Sequence, residues 1–491
     1  MGHSINGSPH SVCASLPTMQ DVIGYEEKDP RVTEAFQAGY PRFFRNPLIS
    51  RLARKLEEDD CMNEDEPLLP TQAAVLDLCS FLGLSERLIA PAQSLWTIRL
   101  PDSDTVRKDC RAFLQHTGAG ISSREAEDFL EKYYSESPYP EQRSTASPEE
   151  NLARIRSHLH GIYGTAVDTD IHIFRSGMNA FYSGFRAIQA IQLDNRKDLW
   201  IQLGWLYVDT SRILERFALS GAEPVQLYNV LDLGELKDVL KQHGHRVAGI
   251  VTEIPTNPLV QSPDIEALRD LADKYNAALI LDPTLVSPHN VSVLEYADLH
   301  INSLTKYAAS EADVMMGALA LNENSRFFDD LSMQVSAFGI IPSSGDLARM
   351  AYQIEQYPET IRRINQSTLK VAEFLESHPG IESVHWARSQ PSGYNYNWLQ
   401  HREAGPGGII SFTTRKPLKD FYDASRIAKS PSFGARFTMM CPFMYLAHYD
   451  LVSNEAGREF LQGLGVPPDL IRLSIGLEPV EAIMEELDRT L

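Results

Sequence analysis

The sequence has few cysteines, little positive charge and no long apolar run. Its five cysteines are scattered without a CxxC pair, which argues against a zinc site and a disulfide framework. Lys and Arg number 45 against 66 Asp and Glu, and the net charge of −21 gives no basic face for nucleic acid or anionic lipid. No apolar run of about 18 residues occurs, and the N-terminus lacks the apolar core of a signal peptide. We therefore expect a cytoplasmic protein without nucleic-acid or membrane partners.

The composition is that of an ordinary globular protein, with 43% apolar and 23% charged residues. A chain of 491 residues has room for two or three domains of about 150 residues each. Residues 1–150 are heterogeneous, and acidic or Pro- and Ser-rich stretches at 57–67 and 135–150 favour loops. We predict an N-terminal extension over 1–150, a large domain over 151–335 and a small C-terminal domain over 336–491.

Strand and helix patterns alternate from about residue 168 onwards. Apolar runs predict strands at 169–174, 248–253, 277–284, 297–304 and 315–321. Helical spacing of Phe181, Phe185, Ile188 and Ile191 predicts a helix after the first strand, and a second helix over 262–276 is expected to start at Ser262. This alternation predicts an α/β fold with a mainly parallel sheet between helices.

The C-terminal part has a different pattern. A helical stretch over 347–379 is interrupted at Pro358, a strand pattern covers 407–414, and a strand followed by a helix closes the chain over 470–491. We interpret this part as a smaller α+β domain.

Three charged residues, Glu253, Asp282 and Lys306, come at or just after the ends of predicted strands. In such sheets ligands bind beyond the carboxyl ends of the strands, and a lysine between buried strands is costly to desolvate without compensation. The turn at Gly177 precedes a helix whose N-terminus can hold an anion. Taken singly, a solvated lysine and a glycine turn without ligand are the simpler interpretations. Together, an amine, a carboxylate and an anion site meet the requirements of pyridoxal phosphate (PLP).

Five segments then resemble, in order, the motifs of the cystathionine γ-synthase family, the Cys/Met-metabolism branch of fold-type I PLP enzymes. They are "RSGMNAF", "TEIPTNPLVQSPDIEALRDLADKY", "LDPT", "INSLTKY" and "LIRLSIGLE". In the remaining chain, "AGYPRFF", "QHTGAGISSREAE" and "GWLYVDTSRIL" resemble the longer fungal-type members. The resemblance implies a fold-type I transferase with a seven-stranded-type sheet, and a homodimer or homotetramer with contacts through residues 1–150.

The resemblance also implies roles for the residues that hold the cofactor. Lys306 would form the Schiff base and move protons between substrate carbons, Asp282 would pair with the pyridine nitrogen, and Asn257 would contact the ring hydroxyl. Tyr207 would stack on the ring and assist proton transfer, the alternative being a core aromatic. The phosphate would be held by four residues, Gly177, Met178, Ser303 and Thr305.

Three further residues would serve the substrate or a second subunit. Arg472 would bind the substrate α-carboxylate through two parallel hydrogen bonds, which lysine cannot reproduce. Ser432 would orient the lysine or the carboxylate, and Arg124 would reach the phosphate of a neighbouring subunit.

Some positions depart from the family pattern. "AASEADVMMGA" follows the lysine segment where the family has a glycine-rich stretch, Pro283 follows Asp282, and Arg436 lies in the C-terminal segment "SFGARFT". These differences leave the nucleophile open.

The function implied is γ-replacement on an activated homoserine, O-acetyl-L-homoserine by the fungal resemblance, through a vinylglycine ketimine and with a thiol such as cysteine. The alternatives are addition of a carbon or nitrogen nucleophile in specialised metabolism, a γ-lyase, and a non-catalytic interaction protein.

Overall fold

The computed structural model describes residues 1–40, 42–219, 221–401 and 404–491. In chain order, the helices of these residues are α1 Met19–Glu26, α2 Pro30–Thr33, α3 Pro47–Glu58, α4 Gln72–Leu82, α5 Asp104–Thr117, α6 Ser123–Tyr134, α7 Pro148–Tyr163, α8 Gly177–Asp194, α9 Val208–Arg216, α10 Gly234–His243, α11 Ile265–Lys274, α12 Phe328–Gln334, α13 Ser344–Gln353, α14 Tyr357–Ser377, α15 Gly393–Leu399, α16 Leu418–Ala424, α17 Phe443–Ala447, α18 Tyr449–Val452, α19 Glu455–Gly463 and α20 Val480–Thr490. The strands are β1 Ile89–Ala92, β2 Leu95–Ile98, β3 Ile171–Phe174, β4 Leu199–Leu203, β5 Val225–Leu227, β6 Val247–Glu253, β7 Ala278–Asp282, β8 Leu299–Ser303, β9 Gly317–Leu321, β10 Ile381–Trp386, β11 Ile409–Thr414, β12 Ala428–Lys429, β13 Met439–Pro442 and β14 Ile471–Ser474.

A seven-stranded sheet forms the centre, in the order β3-β9-β8-β7-β6-β4-β5. Its pairs are parallel from β8 to β5, while β9 runs antiparallel to both of its neighbours. All seven residues of β6 are buried, as expected for a strand covered on both faces. Val251 packs in one core cluster with α8, and the adjacent Ile250 packs in another with α10 and α11. The predicted α/β fold with helices on both faces is confirmed.

The predicted helix start at Ser262 is wrong. Helix α11 is capped by Asp264, whose side chain accepts a hydrogen bond from the Ala267 N–H at 3.0 Å. The Ser262 hydroxyl is buried without a hydrogen-bond partner in the described part of the chain. Aspartate and serine are both good N-caps, so residue type alone does not decide whether the helix starts after Ser262 or after Asp264. The turn of the backbone before the helix decides it.

The break predicted at Pro358 is present. Helix α13 ends at Gln353, a 3₁₀ turn covers Ile354–Gln356, and α14 starts at Tyr357 with the proline in its first turn. Proline is tolerated there because its missing N–H has no intrahelical partner at that position.

A second sheet of five strands, in the order β10-β11-β14-β13-β12, forms the C-terminal part. Its central strand β14 carries Arg472, opposite Ser411 on β11 and Cys441 on β13. Met19 and Val22 of α1 pack in the core of this part, and the Lys429 ammonium donates to the Pro17 carbonyl at 2.6 Å. The start of the chain is therefore fixed to the C-terminal sheet.

The domain limits stay predictions. The limit at residue 150 falls inside α7, which begins at Pro148, and the limit at 335 falls in the connection between α12 and α13. In the part of the chain that the structure describes, no helix has both the length and the apolar character needed to cross a bilayer.

Candidate active site

The carboxyl ends of β6, β7 and β8 open into a cavity of about 400 Å³. Of the residues predicted from the sequence, those that line it are Gly177, Met178, Tyr207, Asn257, Asp282, Ser303, Lys306, Ser432 and Arg472. Residues separated by almost 300 positions in the chain thus meet at one edge of the sheet. Thr305 and Arg124 do not line the cavity.

Lys306 lies where the chain leaves β8 and enters a 3₁₀ turn over Tyr307–Ala309. Its Nζ donates to Ser432 Oγ at 3.3 Å and lies 4.7 and 4.9 Å from the ring centroids of Tyr40 and Phe433. Burial lowers the pKa of the Lys306 ammonium, because the low-dielectric surroundings disfavour the charged form. A neutral amine is the form that can attack a carbonyl carbon and accept a proton.

Asp282 is the half-buried last residue of β7 and lines the cavity. Thr284 donates its backbone N–H to Asp282 Oδ1 at 2.9 Å. Burial raises the pKa of Asp282 to about 6, against the hydrogen bonds from Thr284, which lower it. Within the described ranges, no lysine, arginine or histidine forms a salt bridge with this carboxylate, so it is available for a cationic ring nitrogen.

Asn257 offers a second free polar atom in the same cavity. Its Oδ1 is buried and lacks a hydrogen-bond partner among the described residues. A buried polar atom without a partner is costly, and the hydroxyl of a bound PLP ring would satisfy it. The residues present therefore fit this cofactor.

The start of α8 forms a narrow anion cradle. Ser176 caps the helix by accepting the Asn179 N–H at 3.0 Å. A Cβ placed on Gly177 would lie 2.9 Å from Ser303 Cβ, so only glycine lets the helix start approach the end of β8 this closely. Thr305 lies behind the cradle, where its Oγ1 accepts the Met316 N–H at 3.1 Å and donates to the Met316 carbonyl at 3.3 Å. Thr305 therefore stabilises the turn that carries Lys306 through its hydrogen bonds to the Met316 backbone.

Tyr207 is held by hydrogen bonds at its backbone and at its hydroxyl group. Its backbone N–H donates to Glu253 Oε1 at 2.5 Å, and its hydroxyl oxygen accepts from Arg42 Nη2 at 2.6 Å. Burial raises the pKa of the Tyr207 phenol, and the positive charge of Arg42 opposes this rise. Asp209 and Tyr40 raise the pKa of this phenol further, so its net shift is upward and the group is held in the protonated form that can donate a proton.

Arg42 and Tyr40 are site residues that the sequence interpretation missed. Arg42 forms a buried ion pair with Asp209 at 2.5 Å, and Asp209 also contacts His116 Nδ1 at 2.9 Å. The signal was present in "AGYPRFF", which resembles the fungal-type members and combines aromatic side chains with a guanidinium. An aromatic ring and a guanidinium in such a segment can be recognised as a candidate pair.

Arg472 reaches the cavity from the C-terminal sheet. Its Nη2 donates to the Pro431 carbonyl at 2.5 Å and to the Ser432 carbonyl at 3.3 Å, and its guanidinium lies over Phe433 and Phe443. The side chain is buried, and no carboxylate of the described residues forms a salt bridge with it. A buried guanidinium without a counter-ion is suited to the carboxylate of a substrate.

The structure does not bring Arg124 to the cavity. It is 1% exposed, and its Nε and Nη2 donate to Glu141 at 2.6 and 2.7 Å. Asp313 and Asp346 complete the surroundings at 3.4 and 3.6 Å. The guanidinium of Arg124 is thus occupied inside its own chain, and these contacts give no support to the predicted role at the phosphate of another subunit.

Comparison with known proteins agrees with this geometry. Residues 165–491 match the family described as Cys/Met metabolism PLP-dependent enzyme. The protein belongs to this family. The family carries PLP, and the cofactor predicted from the sequence is confirmed.

Among the named relatives of this Cys/Met-metabolism enzyme, two align over 98% and 70% of this chain. The L-2-amino-4-chloropent-4-enoate dechlorinase/desaturase of Streptantibioticus cattleyicolor is 36% identical over 484 residues, covering 98% of this chain and 96% of that protein. The cystathionine γ-synthase of Neurospora crassa is 32% identical over 350 residues, or 70% of this chain and 55% of that protein. Among solved structures, yeast cystathionine γ-lyase has a TM-score of 0.60 at 24% identity, covering 70% of this chain and 84% of that one. That last similarity concerns the fold.

Proposed function

We propose that this enzyme carries out γ-replacement on an activated homoserine, O-acetyl-L-homoserine, with a thiol such as cysteine as the nucleophile. The observation that carries the proposal is the meeting of three groups in one cavity: the Lys306 amine, the Arg472 guanidinium without a counter-ion and the Asp282 carboxylate. They supply a base, an anchor for an amino-acid carboxylate and a partner for the cofactor ring.

Each residue has a defined task in this proposal. Bound PLP supplies an electron sink for the negative charge that develops next to the substrate nitrogen. Lys306 takes the proton from Cα and returns protons to the neighbouring carbons. Arg472 holds the α-carboxylate so that the Cα–H bond faces Lys306. Tyr207, with its hydroxyl bound to Arg42, lies beside the same space and serves as a second proton-transfer group.

The charges around the cavity favour a substrate whose γ-substituent is uncharged before it leaves. Of the cations that line it, Arg42 is paired with Asp209, and Lys28 is exposed with its Nζ over the Tyr25 ring. A succinyl or phosphoryl group would place a second anion beside residues that are apolar, among them Val12, Leu16, Phe36, Phe43, Phe44 and Leu446. Burying an unpaired charge is costly. An acetyl group avoids this cost.

A second candidate is elimination without replacement. The Streptantibioticus relative, a dechlorinase/desaturase, aligns with almost the full chain, whereas the Neurospora synthase aligns with 70% of it. Loss of a halide from Cγ uses the same base and anchor and likewise places no second carboxylate against the apolar wall. Elimination to a 2-oxoacid, as in a γ-lyase, is the related third outcome.

One experiment separates these candidates. The purified holoenzyme is incubated with O-acetyl-L-homoserine alone and with thiols, amines and β-keto acids, and separately with L-2-amino-4-chloropent-4-enoate. Products are identified by mass spectrometry, and Lys306→Ala is the control. A thiol adduct supports the proposal, chloride release supports the second candidate, and a 2-oxoacid without nucleophile indicates a γ-lyase. If no substrate reacts faster than with Lys306→Ala, chemistry at Cγ is wrong for this enzyme.

A further inference from the structure

A second carboxyl group, that of Glu253, stands beside Asp282 at the same edge of the sheet. Strands β6 and β7 are parallel, and Glu253 is the direct partner of Asp282 in their register. Neighbouring strands lie about 4.8 Å apart. Glu253 is 8% exposed and lines the cavity. Two carboxyl groups this close cannot both carry a charge without a large electrostatic cost.

Burial and hydrogen bonding differ between the two carboxyl groups. Asp282 receives the Thr284 N–H at 2.9 Å, and its pKa is also lowered by the Thr284 side chain. Both interactions stabilise an ionised Asp282. Glu253 accepts one hydrogen bond, from the Tyr207 N–H to Oε1 at 2.5 Å. Among the residues described, no cation forms a salt bridge with either carboxyl group. Glu253 is the more buried of the two, so desolvation favours its neutral form.

The groups that face Glu253 act in opposite directions. Burial raises the pKa of Glu253 well above its usual range, the charge of Asp282 raises it further, and Arg472 on β14 and the Tyr207 N–H lower it. Lys306 and Arg42 line the same cavity, and Arg42 is already paired with Asp209. The neighbouring strand on the other side, β4, ends in Gln202 and Leu203, which carry no charge.

We propose that Glu253 is a positioning residue that works as a neutral carboxylic acid. Through Oε1 it fixes the Tyr207 backbone at the start of α9 and thereby the phenol above the cavity. By staying uncharged it leaves the negative charge at this pair of strand ends on Asp282, the residue that would hold the cofactor ring nitrogen. A glutamate at this place supplies a hydrogen-bond acceptor and keeps a second negative charge out of the site.

Two substitutions of Glu253 distinguish the effect of its hydrogen bond to Tyr207 from the effect of its charge. Glu253→Gln keeps an oxygen for the Tyr207 N–H and is always neutral, whereas Glu253→Leu removes the acceptor at similar volume. The readouts on holoenzymes are the infrared carbonyl band of protonated carboxylic acids, the visible absorbance of the cofactor as a function of pH, and kcat and KM for the substrate that the product assay identifies.

We expect the protonated-acid band to be present at neutral pH in the wild-type protein and to be reduced in Glu253→Gln. Glu253→Gln should keep kcat/KM within about threefold of wild type, because the hydrogen bond remains. Glu253→Leu should bind cofactor and lower kcat about tenfold to a hundredfold, because the phenol loses its fixed position.

Three results would overturn the proposal. One is an infrared band unchanged in Glu253→Gln, which means that the wild-type group is ionised. Another is a loss of kcat in Glu253→Gln as large as in Glu253→Leu, which means that the charge is needed. The last is normal turnover in Glu253→Leu. If Glu253→Leu does not fold, the band and the kinetics of Glu253→Gln still decide.

Discussion

At the level of single side chains, the cavity keeps its charged groups in separate roles. Lys306 contacts one hydroxyl and two aromatic rings, Asp282 receives hydrogen bonds without a cation, and Arg472 is bound to carbonyl groups without an anion. Each of the three groups thus has hydrogen bonds or ring contacts but no salt bridge among the described residues. We expect the cofactor or the substrate to supply the opposite charge. Three predictions follow from the chemistry of these side chains.

Replacing Lys306 with alanine should abolish the visible absorbance of the bound cofactor and reduce turnover by at least about a thousandfold, because the covalent partner and the base are both lost. The fold should persist, since the Nζ makes a single hydrogen bond, to Ser432. Absorbance and product formation are measured, with thermal unfolding as the control. Turnover comparable to that of the wild type would assign the base to another residue.

Asp282→Asn should stabilise the apoprotein and inactivate the holoenzyme. The folded-state pKa of about 6 lies above the ordinary value of 3.8, so ionisation in the folded state costs about 2–3 kcal/mol once the pH exceeds both values. Because the pKa is raised, the native protein is favoured at low pH and loses this advantage as the pH rises from about 4 to above 6. Asparagine removes that loss, while turnover falls because an amide cannot hold the ring proton.

Chemical denaturation of the apoprotein at pH 4 and pH 8 checks this prediction. The difference between Asp282→Asn and wild type should appear at pH 8 and shrink at pH 4. Asp270→Asn, at an exposed position of α11, is the matched control and should show no such dependence. If the difference in unfolding free energy between Asp282→Asn and wild type were the same at pH 4 and pH 8, the pKa of Asp282 would not be raised in the folded protein.

Arg472→Ala should lower kcat/KM by an amount that corresponds to roughly 2–5 kcal/mol, because a desolvated charge-assisted pair is lost. Arg472→Lys should restore little, since an ammonium cannot form two parallel hydrogen bonds. The cofactor absorbance should persist in both variants. Loss of cofactor with an unchanged KM would instead identify Arg472 as a cofactor or scaffold residue.

At the level of helices and strands, the site depends on how closely the start of α8 approaches the end of β8. The start of α8 and the end of β8 meet at Gly177 and Ser303, where a Cβ on the glycine would be 2.9 Å from Ser303 Cβ. The anion cradle therefore exists because one residue of the helix start has no side chain.

Gly177→Ala should reduce the affinity for PLP about tenfold or more, because the helix start must move away from Ser303. The Kd is measured by titrating the apoprotein with cofactor. The control is Gly161→Ala inside α7, where a Cβ would meet nothing within 4 Å. Alanine there should stabilise the protein by up to about 1 kcal/mol without effect on PLP binding. Unchanged affinity in Gly177→Ala would contradict the cradle.

At the scale of the complete chain, several of the first 45 residues line the active-site cavity. Val12, Leu16, Tyr40 and Phe44 line the cavity, and Arg42 pairs with Asp209 inside the large sheet domain. Directly after Leu16, the chain is fixed to the C-terminal sheet by the hydrogen bond from Lys429 to the Pro17 carbonyl. Both folded parts of the chain are therefore connected through the cavity wall.

The homodimer or homotetramer stays a prediction. Its support is the family resemblance and the exposed apolar side chains of Met333 and Ile341, which are 75% and 65% accessible. Light scattering should give a mass of at least about twice 55.1 kDa. A monomer with full activity would remove the dimer contact predicted for residues 1–150.

The alternation of strands and helices, the break at Pro358 and the positions of Asp282 and Lys306 at strand ends are determined by the sequence. These features follow from side-chain periodicity and from the rule that parallel strands end at a common edge. The tertiary structure decided which residues from distant parts of the chain lie beside Asp282 and Lys306 in the active-site cavity. Arg42 reaches the Tyr207 hydroxyl across 165 positions, whereas Arg124 is held by Glu141 and Asp313 inside its own chain. Local patterns carry no information about such contacts, because they depend on the packing of the complete chain. For the same reason, the sequence shows Glu253 and Asp282 at two strand ends, and the register of β6 and β7 makes them neighbours.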